Sequence, residues 1–246
     1  MNAPFVFLGT SHVTAIALTF AAPVALSALS QRRRSVRLDK AIRWGLAAII
    51  ALNWAGWMAL LYFKGWFNIG NVIPLNLCDW ATVATFIALV WPGQKSFEVA
   101  YFWALCGTLQ ALITPDCTYD FPDAQFTLFF VYHGGIIAAV LYLVFGRGMR
   151  PTPASFPRVI GWTALYAATA GAADAWLGTD YGFLRAKPDH LTFLDFLSPW
   201  PWYLPELALA ALFFMALVYS PFFVRDRLAA RAAPANSRVA DRETGL

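Results

Sequence analysis

Seven apolar stretches, at about residues 11–30, 41–63, 74–91, 98–114, 126–145, 159–178 and 204–224, constrain this 246-residue chain more than any other feature. Each approaches the roughly 20 residues a helix needs to cross the hydrocarbon core of a bilayer. In that medium every backbone N–H and C=O must find its partner within the segment, so the expected fold is all-α, a bundle of seven transmembrane helices. Composition agrees: charged residues make up 13% of the chain, about half their share in a soluble globular domain. No soluble domain or internal repeat interrupts the pattern. Residues 1–224 read as one membrane domain, and 225–246 as a basic cytoplasmic tail, disordered for want of apolar residues.

The connections fix an expected orientation. Of the 18 Lys and Arg residues, all but Lys64, Arg185 and Lys187 fall in connections on one side of a seven-span arrangement. Basic residues near span ends stay in the cytoplasm, so the N-terminus is expected outside and the C-terminus inside. The first span lacks the basic stretch that opens a cleaved signal peptide, and RRR at 32–34 holds its far end in the cytosol, so it reads as a retained anchor. Topology accounts for the net charge of +4, leaving nothing that calls for a nucleic-acid partner.

Ionisable and polar side chains inside spans are costly in hydrocarbon, and each is a candidate for function. His12 opens the first span from outside, and Asn76, Cys78 and Asp79 lie near the outer end of the third. Gln110 and Thr114 lie near the outer end of the fourth, and Asp174 and Glu206 near the outer ends of the sixth and seventh. His133 sits ~10 Å into the fifth at 1.5 Å per residue. These residues are expected to share one polar pocket near the outer face. Only Glu98, with Lys95 close by, sits at the cytoplasmic end. Plainer readings stand beside this one: interfacial solvation for His12, Glu98 and Glu206, and interhelical hydrogen bonding for Asp79 and Asp174. The aromatic stretch SPWPWYLPE at 198–206 suits a headgroup-level anchor, with the wall of a lipid-entry site as its rival.

Cys78 has an unusual setting. Pro74 suits the first residue of a helix, where a missing N–H costs nothing, and the dipole of that helix favours a thiolate one turn later. Free N–H groups at Leu75, Asn76 and Leu77 would suit an oxyanion. A disulfide to Cys117 and plain packing together outweigh a reactive thiol on the residues alone, and packing is the simplest account of Cys106. A separation of 55 residues does not by itself bring Cys78 to His133. The histidines and cysteines have no metal-ligand spacing, and no cofactor motif is present.

PLNLCDW at 74–80, YFWALCGTLQALITPD at 101–116, FPDAQFTLFFVYHGG at 121–135, LYLVFGRGMRP at 141–151 and YGFLRAKPDHLTFLDFLSPWPWYLPE at 181–206 carry a family resemblance. Together they resemble the YwaF-type bacterial integral membrane proteins, over about residues 11–223. That family includes an animal cysteine-dependent acyltransferase acting on ether lysophospholipids, and it is distantly similar to androgen-induced hydrolases that use a Thr and His pair. The resemblance implies a multi-pass protein of the bacterial inner membrane, with Cys78 as nucleophile and His133 as general base. It implies transfer of an acyl chain between phospholipid and lysophospholipid through a thioester. Asp79 or Asp174 would orient His133, and Phe129, Phe130, Gly134 and Gly135 would line a lipid groove. A lipid ester hydrolase using the same site, and a non-enzymatic transporter or lipid-binding protein, are the alternatives.

Overall fold

The computed structural model describes residues 3–189 and 192–232, and among these there is no strand, only an isolated antiparallel bridge between Pro4 and Tyr119. The helices are α1 (Thr10–Arg33), α2 (Val36–Phe63), α3 (Ile69–Val72), α4 (Leu77–Val90), α5 (Gln94–Phe102), α6 (Leu109–Ile113), α7 (Ala124–Phe145), α8 (Ser155–Leu177) and α9 (Tyr203–Ala232). A π-helical stretch, Trp103–Thr108, joins α5 to α6. Six helical segments are long and apolar enough to cross a membrane, with α3 and α4 counted as one segment and α5 to α6 as another. The helix α8 has 23 residues but is not among the six, because alanine, glycine and threonine dilute its apolar character.

The caps explain where several helices begin and end. Ser35 accepts from the Leu38 N–H at 3.3 Å to start α2, and Asp123 accepts from the Gln125 N–H at 2.7 Å to start α7. Gly178 ends α8 in the left-handed region at φ 70°, its N–H bonded to the Asp174 carbonyl at 3.1 Å. The α7 helix is the hub: α1 and α2 pack along it, and it is buried for most of its length. At Gly134 the approach of α1 is so close that a Cβ would lie 2.5 Å from Thr19 Oγ1. Large apolar side chains on the outside, such as Leu52, Trp176, Leu209 and Phe213, are exposed, as suits a surface that faces lipid rather than water.

Charge is concentrated at one end of the bundle. Glu98, fully buried, accepts two bonds from Arg158 and one from Gln94, each 2.8 Å long. Its expected neighbour Lys95 is not its partner; the guanidinium arrives from α8 instead. Asp39 accepts from Arg43 at 3.0 Å, from Tyr142 at 3.0 Å and from Arg147. Arg150 pairs with Asp226 at 2.5 Å near the end of α9. The tail expected from residue 225 starts inside α9, which is helical to Ala232; residues 233–246 lie outside the described residues.

The opposite end is closed by the segment after α8, which folds against the start of α4. Asp174 accepts from Thr179 Oγ1 at 2.8 Å and from the Tyr181 N–H at 2.7 Å. Tyr181 donates to the Ile69 carbonyl, Tyr203 to the Phe183 carbonyl at 2.5 Å, and the Gly182 N–H to Asn76 Oδ1 at 3.3 Å. Trp200 and Trp202 stand exposed at this end, where the aromatic stretch was expected to anchor.

A candidate thiol and imidazole site in the membrane cavity

The local sequence places Cys78 closer to its helix end than Pro74 suggests. Asn76 is the N-cap of α4, and Asp79 Oδ2 accepts from the Asn76 backbone N–H at 2.9 Å. Cys78 is therefore the second residue of the helix, and Pro74 lies in the preceding turn. This corrects the expected oxyanion donors as well. The Leu75 N–H is bonded to the Ile73 carbonyl at 2.8 Å, and that of Asn76 to Asp79. First-turn N–H groups have no intrahelical acceptor, so Leu77 and Cys78 itself become the donors available near the sulfur.

Cys78, Cys106 and Cys117 are all free thiols, so the bridge between Cys78 and Cys117 is absent. Cys117 lies in the connection between α6 and α7, where burial, together with Asp116, Asp120 and Asp123, pushes its thiol up to about 12.

A cavity of about 1540 Å³ opens between α2, α4, the π-helical stretch, α7, α8 and α9, under the segment that follows α8. Its walls are mostly apolar, with Trp103, Phe129, Leu207 and Met215 among them. Cys78 and His133 both line it, as do Asn76, Asp79 and Gln110. Arg185 is the only Lys or Arg among the described residues of the lining. Its Nη1 donates to the Asp174 and Thr179 carbonyls at 3.1 and 3.3 Å.

The geometry of His133 follows from its helix. Its Nδ1 lies 2.9 Å from the Phe129 carbonyl one turn earlier. A carbonyl can only accept, so Nδ1 carries the proton and Nε2 presents its lone pair. Phe129 stacks on the ring at a centroid distance of 4.2 Å, and Tyr132 meets it edge-on at 4.9 Å. The Phe129 carbonyl therefore orients the imidazole. Neither Asp79 nor Asp174 does so: Asp79 Oδ1 accepts from Tyr132 Oη at 2.7 Å, and Asp174 holds the segment after α8. The bond between Tyr132 and Asp79 joins the immediate neighbours of His133 and Cys78, fixing α7 against the first turn of α4.

Several expected members of the pocket stand elsewhere. His12 is fully buried at the start of α1, where Nδ1 accepts from the Leu8 N–H at 3.1 Å and Nε2 donates to the Leu112 carbonyl at 2.8 Å. Both nitrogens are used, and the residue rivets α1 to α6. Glu206 accepts from the Ser198 N–H and hydroxyl at 2.7 and 2.6 Å. Of the four groove residues, Phe129 lines the cavity. Phe130 instead packs on His12 and Phe126, Gly134 faces Thr19, and Gly135 has Ile50 Cγ1 as its nearest neighbour at 3.7 Å. Tyr132 and the π-helical stretch are the parts of the site that the residue pattern did not single out. Gly107 was their one trace: a Cβ there would lie 2.7 Å from Leu77 Cδ2.

Residues 7–219 match the family model described as the TMEM164 family, and the chain belongs to that family of membrane proteins. No curated protein and no solved structure matches the chain significantly.

Proposed function

We propose that this chain is a seven-span lipid acyltransferase of the bacterial inner membrane, with its N-terminus outside and its C-terminus in the cytoplasm. The observation that carries the reading is that Cys78, at the positive end of a helix dipole, and His133, with Nε2 unprotonated, line one apolar cavity. The tie between Tyr132 and Asp79 supports the pairing by holding their two helices in register. The length of α8 and the distribution of Lys and Arg support the seventh span and the orientation.

The substrates are a phospholipid donor and a lysophospholipid acceptor. A cavity this large and apolar suits acyl chains, and the Arg185 guanidinium at its mouth suits a headgroup phosphate. The reaction runs in two halves. His133 Nε2 takes the Cys78 proton, and the thiolate attacks the ester carbonyl carbon. Leu77 and Cys78 N–H groups receive the oxyanion. As the C–O ester bond breaks, His133 returns the proton to the departing alkoxide, which leaves as lysophospholipid, and a thioester remains on Cys78. In the second half His133 takes the proton of the acceptor hydroxyl, whose oxygen attacks the thioester. The C–S bond breaks, and the thiolate recovers its proton from the imidazolium.

The test is transfer in reconstituted bilayers. Purified protein in nanodiscs, given phospholipid with an isotope-labelled acyl chain and unlabelled lysophospholipid, is expected to yield labelled phospholipid made from the acceptor. Cys78→Ala and His133→Ala are expected to abolish it. Labelled free fatty acid alone would mean a hydrolase, and no acyl release of either kind would reject the chemistry.

A further inference from the structure

Among the described residues two fully buried helical threonines, Thr85 and Thr108, have hydroxyls without a hydrogen-bond partner, and of the two Thr108 lies beside a thiol. Thr19, Thr82, Thr114, Thr127 and Thr169 each donate to the carbonyl four residues earlier, at 2.9, 2.8, 3.1, 3.2 and 2.8 Å. That is the ordinary fate of such a hydroxyl. Thr108 is fully buried, yet its hydroxyl makes no bond to Ala104, whose carbonyl receives the Leu109 N–H across a wider, five-residue turn. In the resting protein the Thr108 hydroxyl has no hydrogen-bond partner of any kind. What it faces is the Cys78 thiol, within interacting reach. The contact exists because the π-helical stretch rotates Thr108 off the regular helical phase and because Gly107 lets this stretch press onto Leu77.

A buried hydroxyl left without a partner costs about 1–3 kcal/mol, so a fold that keeps one has either a use for it or a defect. A neutral thiol is a weak acceptor, whereas a thiolate is a strong one. The hydroxyl therefore gains a good hydrogen bond only when the sulfur loses its proton. An interaction stronger in the charged form than in the resting form shifts the equilibrium toward the charged form.

We infer that Thr108 stabilises the Cys78 thiolate, its hydroxyl serving as the sulfur's hydrogen-bond donor after His133 has removed the proton. The inference rests on the acyltransferase reading for its purpose. The contact itself does not depend on that reading, and the test uses no acyl donor.

The experiment follows alkylation of Cys78 by a membrane-permeant maleimide as a function of pH. The protein is purified in nanodiscs, and modification at Cys78 is read by peptide mass spectrometry. Wild type is compared with Thr108→Val, Thr108→Ala and Thr108→Ser, each first confirmed as monodisperse by size exclusion. Loss of one hydrogen bond to a charged acceptor is expected to move the midpoint up by about one to two pH units in the Val and Ala variants. At a fixed pH below the midpoint this is a ten- to hundredfold slower alkylation. Serine keeps the hydroxyl and is expected to restore the wild-type profile to within a few tenths of a pH unit. An unmoved midpoint in whichever of Val and Ala folds, or a serine variant that behaves like them, would overturn the inference. A shifted midpoint in a protein that transfers no acyl chain would keep the Thr108 contact and reject the acyltransferase.

Discussion

Tyr132 donates a 2.7 Å hydrogen bond to Asp79, so the residue after Cys78 and the residue before His133 are joined directly. Asp79 also receives the Asn76 N–H at 2.9 Å, which makes one carboxylate both the cap of α4 and its clamp to α7. Tyr132→Phe leaves Asp79 with one donor fewer in a half-buried site, and about 1–3 kcal/mol of stability is expected to go with it. Asp79→Ala loses both the Tyr132 bond and the cap bond from the Asn76 N–H. The two substitutions share a partner, so their effects on thermal unfolding in detergent should fall short of additive by at least about 0.5 kcal/mol. Full additivity would mean that the bond carries no load.

Gly134 serves the α1 and α7 contact rather than a lipid groove. A methyl there would meet Thr19 Oγ1 at 2.5 Å, and α1 must move to admit it. Gly134→Ala is expected to cost about 1–3 kcal/mol through overpacking. Thr19→Ala removes the obstructing hydroxyl, so the double variant should recover most of the loss. If Gly134→Ala alone unfolds like wild type, the close approach is not a constraint.

The ion pair of Glu98 and Arg158 is asymmetric, with side-chain exposures of 0% and 38%. Arg158→Ala strands a buried carboxylate with Gln94 as its remaining partner, and about 3–5 kcal/mol is expected to be lost. Glu98→Ala strands a guanidinium that can reach the membrane surface, and should cost about 1–3 kcal/mol. Comparing the two melting temperatures decides the point. The reverse order would contradict the assigned burial.

Cys117 should be the slow thiol outside the spans. With its thiol pushed up to about 12, almost none is ionised at neutral pH, and only the thiolate alkylates. Its labelling by a water-soluble maleimide is expected to rise roughly tenfold per pH unit from 7 to 10. A plateau below pH 10, or a non-reducing peptide map showing Cys117 bridged to Cys78, would refute this.

The sequence and the structure meet most closely where a polar residue interrupts an apolar span. Asn76, Cys78, Asp79, Gln110 and His133 stand out for that reason, and they line one cavity. His12 and Glu206 stand out equally but are satisfied by Leu8, Leu112 and Ser198, and Asp174 gives its Oδ1 to Thr179 and Tyr181, partners that spacing cannot reveal. The face of α7 that looks into the cavity was hidden too. A helix buried on most sides has no polar stripe to set its rotation, and so Phe130, Gly134 and Gly135 were placed on the wrong side of it. The π-helical stretch is too short to leave a period in the sequence, and it took Thr108 with it. The helix count shows the same limit, since α8 is long but only weakly apolar.

The central claim is a covalent one: an acyl chain rests on Cys78 between donor and acceptor. The most direct measurement incubates the nanodisc-embedded protein with labelled phospholipid and no acceptor, quenches in acid, and maps acylated peptides by mass spectrometry. The account predicts one labelled acyl group on Cys78, released by neutral hydroxylamine as a thioester and lost when lysophospholipid is added before the quench. Transfer activity with no acyl adduct on Cys78 in wild type and undiminished activity in Cys78→Ala would contradict it.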